Sequence, residues 1–124
     1  MPFVNITTTQ PLSAEQKQQL LQRTSDTIIE ALSASLPSVR ILLQEMPQGS
    51  YFCGGKFDVP AILFDIDMIE GRTEEAKARL IHGLSKVAHE TTGVSEEEIR
   101  ARLSDFPKEN IGMAGGITAK QAGR

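Results

Sequence analysis

Ser95-Glu96-Glu97-Glu98-Ile99-Arg100-Ala101-Arg102-Leu103-Ser104-Asp105-Phe106 is the stretch on which the fold turns. Its glutamates, alanine, leucine and arginines favour helix by local propensity. Its place in the chain argues for strand. A shift of 60 residues lays Ile99 to Phe106, without a gap, on Val39 to Met46, the core of an apolar-rich run from Ser38 to Met46 that Pro37 and Pro47-Gln48-Gly49 bound. The same shift matches Ile6 with Ile66, Glu15 with Glu75, Lys17 with Lys77, Leu20 with Leu80, Arg40 with Arg100, Leu43 with Leu103, Pro47 with Pro107 and Gly55 with Gly115. Ile99 to Phe106 is therefore read as a strand, led in by a short helical turn over Ser95 to Glu98, because tertiary context overrides propensity.

Working outward, residues 2 to 9 alternate in a β-branched run closed by Gln10-Pro11, which predicts a strand. Ser13 followed by Gln16 is a capping box, and Leu20, Leu21, Ile28, Ala31 and Leu32 keep helical spacing to about Leu32. In the second half Ala61 to Ile69 is a strand, and Thr73 caps a helix that runs to about Thr92 and stops at Gly93. Gly112 to Gly116 reads as a turn or hairpin. Each half is strand, helix, strand, and a helix of this length favours a right-handed crossover between parallel strands. The expected fold is α/β (α+β), one domain of two tandem β-α-β units, residues 1–58 and 59–124, forming a four-stranded sheet with both helices on one face. The other face then needs a cover, for which self-association as a closed ring or trimer is the natural solution.

A length of 124 residues suits one domain, and the balance of 13 basic against 16 acidic side chains leaves no surplus to neutralise a phosphate backbone, so nucleic acid is not an expected partner. The single cysteine, Cys53, excludes an internal disulfide and a cysteine-rich zinc site. No signal peptide or membrane-length apolar run is present, so the expectation is a cytoplasmic protein without a membrane partner. His82 and His89 stand seven apart on one helix with no third ligand indicated, and no metal is expected.

Pro2 follows the initiator methionine, and a small second residue permits removal of Met1. The mature chain would then start with a secondary amine, which titrates near about 8 before any perturbation and is a competent base at neutral pH. Burial and neighbouring arginines would lower that value further.

Pro2-Phe3-Val4-Asn5-Ile6, Ser13-Ala14-Glu15-Gln16-Lys17, Leu36-Pro37-Ser38-Val39-Arg40 and Glu45-Met46-Pro47-Gln48-Gly49 with Gly54-Gly55 together resemble a 4-oxalocrotonate tautomerase subunit. The second half resembles the same subunit through Glu70-Gly71-Arg72-Thr73, Glu75, Lys77, Arg100 and Asn110-Ile111-Gly112-Met113-Ala114-Gly115-Gly116. The chain thus resembles a fused tandem of the tautomerase superfamily.

The resemblance implies that Pro2 is the catalytic base, that an arginine after the first strand grips a remote carboxylate and that another, opening the second strand, binds the 2-oxo acid end. Pro2 has Ile62 as its counterpart in the second half, and Pro60 is internal, so only the first half supplies an amine. The first arginine is replaced by Leu12 in the first half and present as Arg72 in the second; the other is present twice, as Arg40 and Arg100. The aromatic wall of the family's pocket corresponds to Tyr51 and to Ile111. The implied reaction is a cofactor-independent keto-enol tautomerisation of a small dicarboxylate or 2-oxo acid, in which Pro2 takes the enol hydroxyl proton of a 2-hydroxydienoate such as 2-hydroxymuconate and returns it to a distal carbon. The implied assembly is a homotrimer. Haloacrylate dehalogenation or hydration, with the proline as acid, requires a carboxylate that 51–53 and 111–113 lack. A non-catalytic ring-forming protein is the third reading, motivated by the losses at Leu12 and Ile62.

Overall fold

The computed structural model describes residues 2–124; the fate of Met1 lies outside them. Strand β1 spans Phe3–Thr8, helix α1 Ala14–Leu32, β2 Arg40–Glu45, β3 Phe52–Cys53, β4 Lys56–Phe57, β5 Ile62–Ile69, α2 Glu74–Thr92, β6 Ile99–Phe106, β7 Gly112–Met113 and β8 Ile117–Thr118. The disputed stretch is a 3-10 turn over Glu96–Glu98 followed by β6, so pairing with β5 prevails over helix propensity.

The main sheet has the order β2-β1-β5-β6. Each crossover pairs its strands in parallel, β1 with β2 and β5 with β6, as a helix between two strands requires. The halves meet at the centre, where β1 and β5 are antiparallel, with Phe3 opposite Asp67 and Thr8 opposite Ile62. Thr9 secures this join: its hydroxyl donates to the Val59 carbonyl and accepts from the Ala61 amide, both at 2.8 Å.

Val4 and Ile6 on β1 and Ile62, Phe64, Ile66 and Met68 on β5 point to one face, where Leu20, Ile28, Leu80 and Leu84 of the two helices cover them. Burying each such side chain contributes about 1.5–3 kcal/mol, which outweighs the weak helix propensity of the β-branched residues in α1. The opposite sheet face is uncovered within the chain, with Leu42 69% exposed. No helix of the described residues is long and apolar enough to cross a membrane.

The duplication extends to fine detail. Ser13 and Thr73 cap the two helices through side-chain oxygens, and Lys17–Glu45 and Lys77–Asp105 are equivalent ion pairs joining a first helical turn to an edge-strand end. Strand ends differ from the sequence reading: β1 is Phe3–Thr8 within residues 2–9, β2 is Arg40–Glu45 within Ser38–Met46, and β5 starts at Ile62 and not at Ala61. Ser38 belongs to a 3-10 turn, Leu36–Ser38, and not to the second strand, because its amide donates to Ser35. Phe52–Cys53 and Lys56–Phe57 form a hairpin that the sequence reading did not assign, turning through Gly54 and Gly55 at positive φ; Gly112 to Gly116 forms its counterpart. Its Phe52 and Phe57 rings, 62% and 67% exposed, lie 4.8 Å apart between centroids.

Candidate active site

Pro2 is buried at the entrance to β1, one residue before the rung in which Phe3 faces Arg40 on one side and Asp67 on the other. Its carbonyl accepts a hydrogen bond from the Arg40 amide at 3.2 Å. Because β5 runs antiparallel to β1, the C-terminal end of β5 arrives at this same end of the sheet, bringing Ile69 and the loop that carries Arg72. The Arg72 guanidinium donates to the Ile69 carbonyl at 3.4 Å, and the Glu70 amide to the Phe106 carbonyl at 3.0 Å. Ile111 is buried beneath this corner against Ile69, Ala119, Phe106 and Met113. Pro2, Arg40, Arg72 and Ile111 therefore share one end of the sheet.

Beside them opens a cleft of about 190 Å³, lined by Phe3, Asp67, Phe106, Asn110, Ile111 and Gly112. Of the residues derived from sequence only Ile111 lines it, while Pro2, Arg40 and Arg72 belong to the surrounding elements. Phe3, Asp67, Phe106 and Asn110 escaped the sequence reading. Asp67 and Phe3 sit opposite each other only through the antiparallel join, which no local motif encodes.

Tyr51 and Arg100 lie at the other end. Arg100 pairs with Leu63 in the register of β5, four residues from Asp67, which places it about 13 Å along the strands and about 10 Å across them from Phe3. No arginine side chain bridges that separation, so within one chain Arg100 and Pro2 do not meet. Arg100 repeats the local geometry of Arg40: Arg40 donates to the Pro37 carbonyl and Arg100 to the Glu97 carbonyl, each at 3.0 Å. Glu98 lies 3.8 Å from Arg100. The Tyr51 phenol has its pKa raised, chiefly by a hydrogen bond with Cys53, then by burial and the Glu98 carboxylate, with Arg100 opposing.

This second corner is the degenerate counterpart of the first. Ile62 is fully buried where the equivalent of Pro2 would stand, and Leu12, in the place of an arginine, packs against the core. The nearby cleft of about 440 Å³ is lined by Glu45 and Asp58 and by no cation. The first corner combines a proline with Arg40 and Arg72; the second keeps Arg100 but has no proline at the equivalent position, and its cleft presents the carboxylates of Glu45 and Asp58.

The family model described as tautomerase enzyme matches residues 2–57 and again residues 63–121. A 2-hydroxymuconate tautomerase of Pseudomonas putida is 44% identical over 59 residues, covering 48% of this chain and 92% of that relative. Among solved structures, Pt0534 inactivated by 2-oxo-3-pentynoate superposes with a TM-score of 0.96 at 53% identity, covering 98% of this chain and 99% of that one. The Q0 fused 4-OT wild-type symmetric trimer gives 0.95 at 34% identity, with the same coverage. Two tandem matches over a duplicated β-α-β fold leave one assignment: the chain belongs to the tautomerase family of enzymes.

Proposed function

We propose that the chain tautomerises 2-hydroxydienoates of the 2-hydroxymuconate class, with Pro2 as general base. The observation that carries this reading is the burial of Pro2 at the end of the sheet to which the antiparallel join brings Arg72 from the other repeat. With Met1 removed, the Pro2 amine takes the 2-hydroxyl proton, the dienol electrons shift along the chain of double bonds, and the same amine delivers the proton to the distal carbon. Burial and arginines disfavour the ammonium form and keep the amine a base near neutral pH. Arg72 suits bidentate capture of the remote carboxylate.

The names of the relatives support this reading: 2-hydroxymuconate tautomerases in sequence and fused 4-OT trimers in structure. The uncovered sheet face with Leu42 and the exposed Phe52–Phe57 hairpin support a homotrimer. In that ring Arg100 of one chain reaches the Pro2 corner of its neighbour, since it cannot reach its own. The test is intact mass spectrometry together with an ultraviolet assay on 2-hydroxymuconate. A mass lacking methionine and a loss of about 100-fold or more in Pro2→Ala support the base; retained methionine or unchanged turnover overturns it.

Asp67 favours a second reading. It places in the cleft the carboxylate that water addition to a haloacrylate needs, with Pro2 acting as acid. Chloride release from 3-chloroacrylate that disappears in Asp67→Asn while tautomerisation persists would establish it.

A further inference from the structure

The two helices cross on the outer face of the molecule, and a groove opens on each side of the crossing. The repeat relates the grooves to each other. One, of about 230 Å³, is lined by Glu15, Gln19, Arg23 and Glu90 among others. There Arg23 reaches across to Glu90 at 2.5 Å and occupies the space between the helices. The other, of about 350 Å³, has Gly83 where the repeat would place the counterpart of Arg23. Glu30, the counterpart of Glu90, has no ion-pair partner among the described residues.

The charge of the two grooves has diverged in one direction. Gln19, Gln22 and Asp26 of the first helix become Arg79, His82 and Lys86 in the second, all three lining the larger groove. Arg79 and Lys86 face a single carboxylate, Glu30, there, whereas in the smaller groove the one cation, Arg23, is held by Glu90 and Glu15 adds a second carboxylate. Arg79 and Lys86 make no ion pair among the described residues. They are seven residues apart on one helical face, about 10 Å along the axis, with His82 between them. The floor is apolar, formed by Ala31 and Val87.

We propose that this groove is a binding site for a small organic dianion, a dicarboxylate whose two charged ends engage Arg79 and Lys86 while its apolar body lies on Ala31 and Val87. Its size falls within the range of small-molecule sites. It lies on the helix face, away from the proline corner, and stands independently of the reaction proposed for that corner.

The probe is terephthalate, a rigid aromatic dicarboxylate, titrated by calorimetry and by amide chemical shifts at Ala31, Gly83 and Val87. The variant Arg79→Gln/His82→Gln/Lys86→Asp installs the residues that helix α1 already carries at the equivalent positions, and Lys86→Asp alone is a smaller perturbation. The expected result is a dissociation constant below about 1 mM, weakened at least about tenfold in both variants and unchanged in Arg72→Ala, with benzoate binding at least about tenfold more weakly. Tautomerase activity stays unchanged in the groove variants. Absence of terephthalate binding, binding that survives the groove variants, binding lost in Arg72→Ala, or equal affinity for benzoate would each overturn the proposal.

Discussion

The Arg40 amide donates to the Pro2 carbonyl at 3.2 Å, so the residue that opens β2 fixes the residue that precedes β1. The bond uses backbone atoms alone, which leaves the Pro2 ring nitrogen and the Arg40 guanidinium free of it. Arg100 has the same side-chain anchorage as Arg40 but stands beside a strand whose corresponding residue is Ile62. The duplicated scaffold persists at both ends of the sheet while a proline directly precedes the first strand of only one repeat.

The separation of Arg100 from Pro2 gives a prediction for mixed assemblies. Pro2→Ala and Arg100→Ala should each lose most activity, whereas co-refolded equimolar chains should recover about one quarter of wild-type turnover, since one neighbour pairing in four joins an intact proline to an intact arginine around a ring. A mixture no more active than its components would exclude a site shared between chains.

Gly83 should resist substitution for reasons of packing. A Cβ at this position would lie 2.7 Å from the Thr27 Cγ2, and Thr27 is held in its rotamer by a 2.8 Å hydrogen bond from its hydroxyl to the Arg23 carbonyl. Gly83→Ala should therefore destabilise by about 1–2 kcal/mol in spite of alanine's higher helix propensity. Adding Thr27→Ser, which removes the methyl but keeps the hydroxyl, should restore the loss in thermal or urea unfolding.

Ser33 ends α1 in the left-handed conformation, φ 53°, where its counterpart Gly93 ends α2 with φ 79°. The serine Cβ is strained there and the glycine is not. Ser33→Gly should stabilise by about 0.5–1 kcal/mol and Gly93→Ser should destabilise by a similar amount, read as opposite shifts of the unfolding midpoint.

Tyr51 is the single tyrosine of a chain without tryptophan, so its ionisation can be followed alone by ultraviolet difference spectroscopy. Its titration should fall above the usual value near about 10 and return toward it in Cys53→Ala, because the Cys53 hydrogen bond is the largest cause of the shift. The folded-state pKa is raised, so this contribution to stability is present below the unfolded phenol's pKa and is lost as the pH climbs through the folded value. A midpoint indifferent to Cys53 would refute the assignment.

Strands β1, β2 and β5, both helices and their caps were legible because the signals are local: Ser13 and Gln16 for one start, Thr73 for the other, Gly93 for a stop, and β-branched or apolar runs between prolines. The β6 assignment came from the 60-residue repeat, which outweighed the composition of Ser95 to Phe106. The hairpin of Phe52 and Phe57 went unread because two-residue strands carry no periodicity, although its glycines are the same kind of signal that marked Gly112 to Gly116.

The sequence alone determined that the chain is a duplicated β-α-β protein and that only its first copy has a proline directly before its first strand, the second having Ile62 at the equivalent position. Those facts reside in residue identity and spacing. The tertiary structure decided which arginines keep company with that proline. Antiparallel pairing of β1 with β5 carries Arg72 to the Pro2 end of the sheet and leaves Arg100 at the other, and it adds Asp67 and Phe106 to the cleft. Strand direction at the join is settled by burying one face of both halves under a shared pair of helices, a balance of the whole core that no short segment encodes.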